Sequence, residues 1–180
     1  YVIQHEQLGT GHAVHACRDA VVDADAIIVL YGDHPFVSTG TLQRLAQMHE
    51  QSHSVLSMMT TTVPSFEAWP IYFHWGRIIR DKHRHIMAIR EYKDAMESEQ
   101  AITEVNPALY CFDTKWLWDN IAQLKNLNAK SEYYLTDLVE LAVAQGHDIA
   151  SLTIAPEEAV GINTQEERVI AEELLAKRHG

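Results

Sequence analysis

The stretch "DAIIVLYGDHP", residues 25–35, decides the fold. Its apolar run is too short for an ordinary helix and stops at Gly32-Asp33. It therefore predicts a buried parallel strand that delivers its last side chains to a loop. Before it, Ala13, Val14, Ala16, Cys17, Ala20 and Val21 recur at helical spacing over residues 11–22. After it, Ser38 or Thr39 caps a predicted helix reaching about His53, and "SVLSMMTTT", residues 54–62, predicts the next strand. Strands and helices thus alternate, which points to an α/β fold with an open, mixed and mostly parallel sheet flanked by helices on both faces.

Further along, "GRIIRD" (76–81) and "HIMAIRE" (85–91) predict two alternating strands around a tight link from Lys82 to Arg84. "EVNPALYCFD" (104–113) predicts a strand interrupted by Pro107. Helices are expected over 114–125 and 134–145, the second with Thr136 as a candidate cap, followed by a strand over 148–154. A last helix opens at Thr164, with Glu167 at the capping-box position. No repeat, low-complexity tract or linker divides the chain, so residues 1–180 are expected to form one domain.

The composition narrows the function. Of 180 residues, 47% are apolar and 22% charged, enough apolar content for a proper core. Lys and Arg total 14 against 25 Asp and Glu, a net charge of -11, which disfavours a nucleic-acid partner held through its phosphates. If the ligand is an anion, its counter-charge is expected from a metal or from residues outside this chain. Cys17 and Cys111 have no CxxC spacing, no apolar stretch approaches a membrane span and no leader precedes Tyr1. Together these predict reduced thiols and a cytoplasmic location.

Three segments carry candidate chemistry. In "QLGTGHA", residues 7–13, glycines flank Thr10 at a predicted helix start, where backbone N–H groups attract anions and polar ligand edges. The plainer reading is a simple turn. Asp33 ends its predicted strand at the edge where open α/β sheets collect ligands, and a hard carboxylate there suits Mg²⁺ bound to phosphate oxygens. The plainer reading is a turn cap. "NAKSEYYLTD", residues 128–137, gathers two tyrosines, an amide and two acids at a helix start, with no chemistry visible in isolation. The 11 histidines, above all His74, His83 and His85, lack zinc-ligand spacing and are expected to be solvated.

Taken together and in order, "QHEQLGTGHAV", "VLYGDHPF", "GRIIRD", "AIREYKDA", "EVNPALYCFD", "NLNAKSEYYLTDLVELA" and "VGINTQEE" resemble the bacterial N-acetylglucosamine-1-phosphate uridylyltransferases, from the first residues to about 167. The resemblance implies a Rossmann-like nucleotide-diphospho-sugar transferase fold and the joining of UTP to a sugar 1-phosphate with release of pyrophosphate. It implies uracil contacts from Gln4, Gly9 and Thr10, with Tyr31 and Gly32 also on the nucleotide side. Asp33 becomes the catalytic Mg²⁺ ligand and Asn163 its partner, while Gly76, Glu91, Asn106 and Asn163 lie against the sugar. Another sugar or base, or a non-catalytic nucleotide-sugar-binding module, are the alternatives, and a homo-oligomer is left open.

Such chemistry needs positioning and charge neutralisation more than a protein nucleophile, which suits a chain without a Ser-His-Asp or Cys-His set. The sequence departs from the resembled family in three places. The family's glycine-rich loop with its Arg and Lys does not precede Tyr1, so the fold is expected to be incomplete at its N-terminus and the chain inactive alone. Gly-Tyr-Gly-Arg-Ile becomes His74-Trp75-Gly76-Arg77-Ile78, and Asn-Thr-Gly becomes Asn106-Pro107-Ala108.

Overall fold

Side chains alternate between two apolar layers along the strands. Leu56, Met58, Tyr110 and Phe112 point into one buried cluster, and Met59, Leu109 and Cys111 into another. This period of two, apolar on both faces, is what a sheet covered by helices on each side requires. The structure is a computed structural model and describes residues 1–21 and 23–179, with the side chains of 177–179 outside the description.

The elements in order are α1 (Thr10–Ala16), β1 (Ala26–Val29), α2 (Thr39–Ser52), β2 (Leu56–Thr62), β3 (Arg77–Arg80), β4 (Ile86–Arg90) and α3 (Glu97–Gln100). They continue with β5 (Glu104–Val105), β6 (Tyr110–Asp113), α4 (Thr114–Asn120), α5 (Asp137–Ala144), β7 (Ala150–Thr153), α6 (Pro156–Ala159) and α7 (Gln165–His179). The strand β2 is the hub. Leu56–Met58 pair with β6, Thr61–Thr62 with β5, and Ser57–Thr60 with β7. Strands β5, β3 and β4 extend the sheet as an antiparallel arm. Leu117, Leu138, Val139 and Ala142 cover one face, and Leu45, Ala159 and Ala171 the other.

The mixed α/β sheet flanked by helices agrees with the sequence. The placement of residues 25–31 does not. Among the described residues β1 is an edge strand paired only with β6, antiparallel, and its first residue Ala26 is exposed. An apolar run looks alike in a central parallel strand and in an edge strand that packs apolar side chains on both faces. Among the described residues the one parallel ladder is β2 with β7, so the sheet is mixed but mostly antiparallel, not mostly parallel as expected. Residues 11–22 were expected to be helical throughout, but α1 stops at Ala16 and Arg18–Ala20 form a 3₁₀ turn; residue 22 lies outside the described residues. The free side of β1 borders an open, mainly apolar groove of about 640 Å³, lined by Val14, Cys17, Ile28 and Trp118 among others. No helix among the described residues is long and apolar enough to cross a membrane.

Local chemistry explains the other boundaries. Ser38 Oγ caps α2 by accepting from the Thr41 N–H at 3.1 Å. Thr164 and Glu167 exchange hydrogen bonds at the start of α7, as their spacing predicts. Asp81 Oδ1 accepts from the His83 and His85 N–H groups, both at 2.8 Å, and holds the β3–β4 turn. Residues 104–113 divide into two strands because Asn106-Pro107-Ala108 turns the chain, with Asn106 Oδ1 accepting from the Ala108 N–H at 3.0 Å. Ala108 itself sits at φ 56.

The segment before β3 is held from within. Arg77 is fully buried, and its guanidinium lies 4.4 Å over the Phe66 ring and 5.3 Å from Tyr92. It donates to the carbonyls of Phe73 at 2.8 Å, Gln100 at 3.1 Å and Tyr72 at 3.5 Å, and to that of Trp75. A planar fork of donors suits this arrangement and an ammonium does not. Arg77→Met should lower the urea unfolding free energy by about 3 kcal/mol, because buried carbonyls lose their donor. Arg77→Lys should not restore it.

Candidate functional site

The ends of the elements, rather than their middles, converge on one cleft. A hollow of about 300 Å³ is lined by Thr10 from the start of α1, Tyr31 and Asp33 beyond β1, Gly76 before β3 and Glu91 after β4. Asn106, Pro107 and Ala108 from the bend and Asn163 ahead of α7 complete the ring. The structure thus brings Thr10, Tyr31, Asp33, Gly76, Glu91, Asn106 and Asn163 together. Gln4, Gly9 and Gly32 lie outside this lining. Gly32 borders the groove along β1, which shares Thr10, Tyr31 and Asp33 with the cleft.

The first loop is built against residues 132–135. Gly9 has φ 110, and a Cβ there would stand 2.7 Å from the Tyr133 carbonyl oxygen, so the position admits glycine alone. The Gly11 N–H donates to that same oxygen at 2.8 Å, and Thr10 Oγ1 accepts from the Leu135 N–H at 3.0 Å. The Gln4 amide reaches back to His12 Nδ1 at 2.9 Å and to the Gly9 carbonyl at 3.4 Å. Gln4 therefore braces the loop that carries Thr10.

Glu91 is a half-buried acid of the site. Desolvation raises its pKa, while Lys130 and the Thr136 hydroxyl oppose the shift. Thr136 was expected to cap α5; its side chain instead donates to Glu91 Oε1 at 3.3 Å. Gly76 faces the same carboxylate, since a Cβ there would lie 2.9 Å from Ile89 Cγ2 and 3.4 Å from Glu91 Oε1. Asn106 is buried and committed on both ends, with Nδ2 donating to Tyr110 Oη at 2.6 Å. Burial pushes the Tyr31 phenol up to about 12, against a hydrogen bond with Thr10. Asp33 keeps 28% of its side chain exposed, but its Oδ1 is buried without a hydrogen-bond partner among the described residues. The backbone ties the two expected metal ligands together, the Ile162 N–H donating to the Asp33 carbonyl at 2.9 Å.

Residues 2–136 match the MobA-like NTP transferase domain. The chain belongs to this family. Over 179 residues the transferase domain is 35% identical to the bifunctional protein GlmU of Clostridium novyi, covering 99% of this chain and 38% of that protein. It is 37% identical to the Brevibacillus brevis GlmU over 180 residues, again 99% and 38%, and 45% identical to that of a Psychrobacter species over 168 residues, 93% and 35%. The chain thus spans a little over a third of the curated relatives it matches. The resemblance drawn from the motifs is borne out.

Several lining residues of the transferase cleft escaped the motif reading: His34, His74, Trp75, Lys130, Glu132 and Tyr134. Lys130 matters most, because the sequence led to the expectation that the counter-charge lay outside the chain. Its signal was available in "NAKSEYY", where the aromatic and acidic residues drew the attention. His83 and His85 stay at the β3–β4 turn, and no group of three His, Cys, Asp or Glu is placed to hold a metal among the described residues.

Behind Glu91 and Tyr134 a second hollow of about 320 Å³ is lined by Asp94, Asp137 and Glu140. Desolvation, with Glu140 and Asp94 adding repulsion against Arg90, raises Asp137 to about 6. In the unfolded chain it titrates near ~3.9, so the folded state binds the extra proton between those values and loses this stabilisation as pH rises toward 6. Asp137→Asn should therefore unfold at higher urea concentration than the parent at pH 7, with the gap closing by about pH 4.

Proposed function

We propose that this domain joins UTP and a sugar 1-phosphate, N-acetylglucosamine 1-phosphate foremost, to give a UDP-sugar and pyrophosphate. The observation that carries this reading is the convergence of Thr10, Tyr31, Asp33, Gly76, Glu91, Asn106 and Asn163 on one cleft from six separate places in the chain. Membership of an NTP transferase family and the likeness to GlmU proteins support it.

A phosphate oxygen of the sugar 1-phosphate attacks the α-phosphorus of UTP, the new P–O bond forms, and the bond to the β-phosphate breaks with pyrophosphate leaving. No protein nucleophile is needed. The base lies over the loop at Gly9 and Thr10, which Gln4 braces. The sugar lies against Gly76, where the missing side chain leaves the Glu91 carboxylate open to its hydroxyls. Thr136 donates to Glu91 Oε1, the oxygen nearest Gly76, and so fixes the carboxylate at the sugar wall. Asn106 shapes this wall through Tyr110 and Ala108 and offers one remaining amide hydrogen.

Asp33 and Asn163 are the residues that would hold Mg²⁺. The fit is good: both offer oxygen and both line the cleft, the Asp33 side chain is 28% exposed, and two protein ligands suit an ion that takes its others from phosphates and water. Bound there, the ion would neutralise phosphate charge in the transition state.

A second reading, binding without turnover, draws on Lys130 being the one Lys or Arg lining the cleft among the described residues. Calorimetry with UDP-N-acetylglucosamine and Mg²⁺, run beside a pyrophosphate-release assay, separates the two. Binding is expected in both, and Glu91→Gln should weaken it about tenfold through loss of a charge-assisted hydrogen bond. Where turnover is seen, Asp33→Asn should lower it by at least ~10²-fold. Undiminished binding in the Glu91 variant, or equal affinity for the CDP-sugar, would remove the sugar or uracil assignment.

A further inference from the structure

His34 follows the candidate metal ligand directly, and its surroundings are unusual. Only 5% of its side chain is exposed, and Nδ1 is buried with no hydrogen-bond partner among the described residues. Its Nε2 stands 3.7 Å from Asp33 Oδ1, the very carboxylate oxygen that is also buried and unpartnered. The buried, unpartnered Asp33 oxygen and the ring nitrogen nearest to it thus lie just beyond hydrogen-bond distance, an acceptor and a possible donor that are complementary when brought together.

The ring is wedged in place. It lies 5.7 Å from the Trp75 ring at a 34° tilt and meets Tyr31 edge-on at 6.2 Å. On its remaining side is Gly161, where a Cβ would come within 3.0 Å of His34 Nε2. Gly161 opens the strand of chain that carries Asn163, and the next residue, Ile162, is bonded to the Asp33 backbone. The imidazole therefore fills the space between the two segments that bear Asp33 and Asn163. With Oδ1 sealed inside, the exposed part of the Asp33 carboxylate is its Oδ2 side.

We propose that His34 is a positioning residue for the metal-binding carboxylate: its neutral imidazole donates Nε2–H to Asp33 Oδ1 and so turns Oδ2 into the cleft toward Asn163. The proposal rests on the reading of Asp33 as a metal ligand. Donors that orient a ligating carboxylate typically change metal affinity by ~10- to 100-fold when removed. Gly161 becomes part of the same device, because any larger residue would displace the ring that does the orienting.

The test is Mn²⁺ binding to the 180-residue chain, followed by the free-ion electron paramagnetic resonance signal. His34→Val should raise the dissociation constant about tenfold or more, whereas His34→Gln, which keeps an N–H donor, should stay within about threefold of the parent. Gly161→Ala should behave like His34→Val without touching a polar group, and Asp33→Asn should abolish binding. Nitrogen-15 spectra of the unsubstituted chain should show one imidazole, missing in His34→Gln, with its proton on Nε2 at neutral pH. Parent-like binding in His34→Val together with loss in Asp33→Asn overturns the positioning role and leaves the metal site standing. Unchanged binding in Asp33→Asn overturns the metal reading itself. Should His34→Val not fold, the Gly161 variant and the tautomer decide, and a proton on Nδ1 refutes the proposal.

Discussion

Everything in the cleft depends on a single break in the chain between Val105 and Tyr110. Because Asn106-Pro107-Ala108 turns there, one stretch of sequence serves two parts of the sheet, β5 joining the β3–β4 arm and β6 lying between β1 and β2. Asn106 fastens the turn from both ends, accepting from the Ala108 N–H and donating to Tyr110 Oη. An uninterrupted strand would lay the arm flat along β2 and carry Gly76 and Glu91 away from Asp33. Pro107 lacks the N–H that would continue the ladder, so the break is written into the covalent structure.

The charge distribution follows a similar logic of division. Three carboxylates, Asp33, Glu91 and Glu132, line a cleft with one ammonium, Lys130, on a chain of net charge -11. The acids are not equivalent. Glu91 is half-buried, tied to Thr136 and raised in pKa, which suits hydrogen bonding to neutral hydroxyls. Asp33 is partly open to the cleft, with 28% of its side chain exposed. Under the proposed function, the two carboxylates would divide the work, one toward sugar-like groups and the other toward hard positive charge.

Much of this is legible in the amino-acid sequence, and for identifiable reasons. Side-chain signals with a local mechanism were read correctly: the Ser38 cap, the Thr164–Glu167 exchange and the break at Pro107 all act within a few residues. Seven of the ten expected site residues share the cleft lining because their motifs sit at element ends, and element ends meet. What failed was non-local. The pairing of β1 depends on which strand lies beside it, and nothing in an apolar run states that. Thr136 stands where a helix cap belongs, yet Glu91, 45 residues earlier, competes for its hydroxyl and wins. The burial of Arg77 has no local signal either, because the rings and carbonyls that enclose it come from residues 66, 72, 73, 75, 92 and 100.

The two cysteines are set apart by the same architecture. Cys111 lies in β6 beneath α2, fully covered, and burial pushes its thiol up to about 11. Cys17 stands half-buried on the wall of the groove beside β1, its thiol 3.6 Å from the Ala13 carbonyl oxygen. Thiolate is the reactive form, so an alkylating reagent at neutral pH meets one accessible sulfur, Cys17, and one that is both shielded and held protonated, Cys111. A fluorophore or spin label attached without any engineered cysteine would therefore report from the rim of the groove, within the same wall as Tyr31 and Asp33.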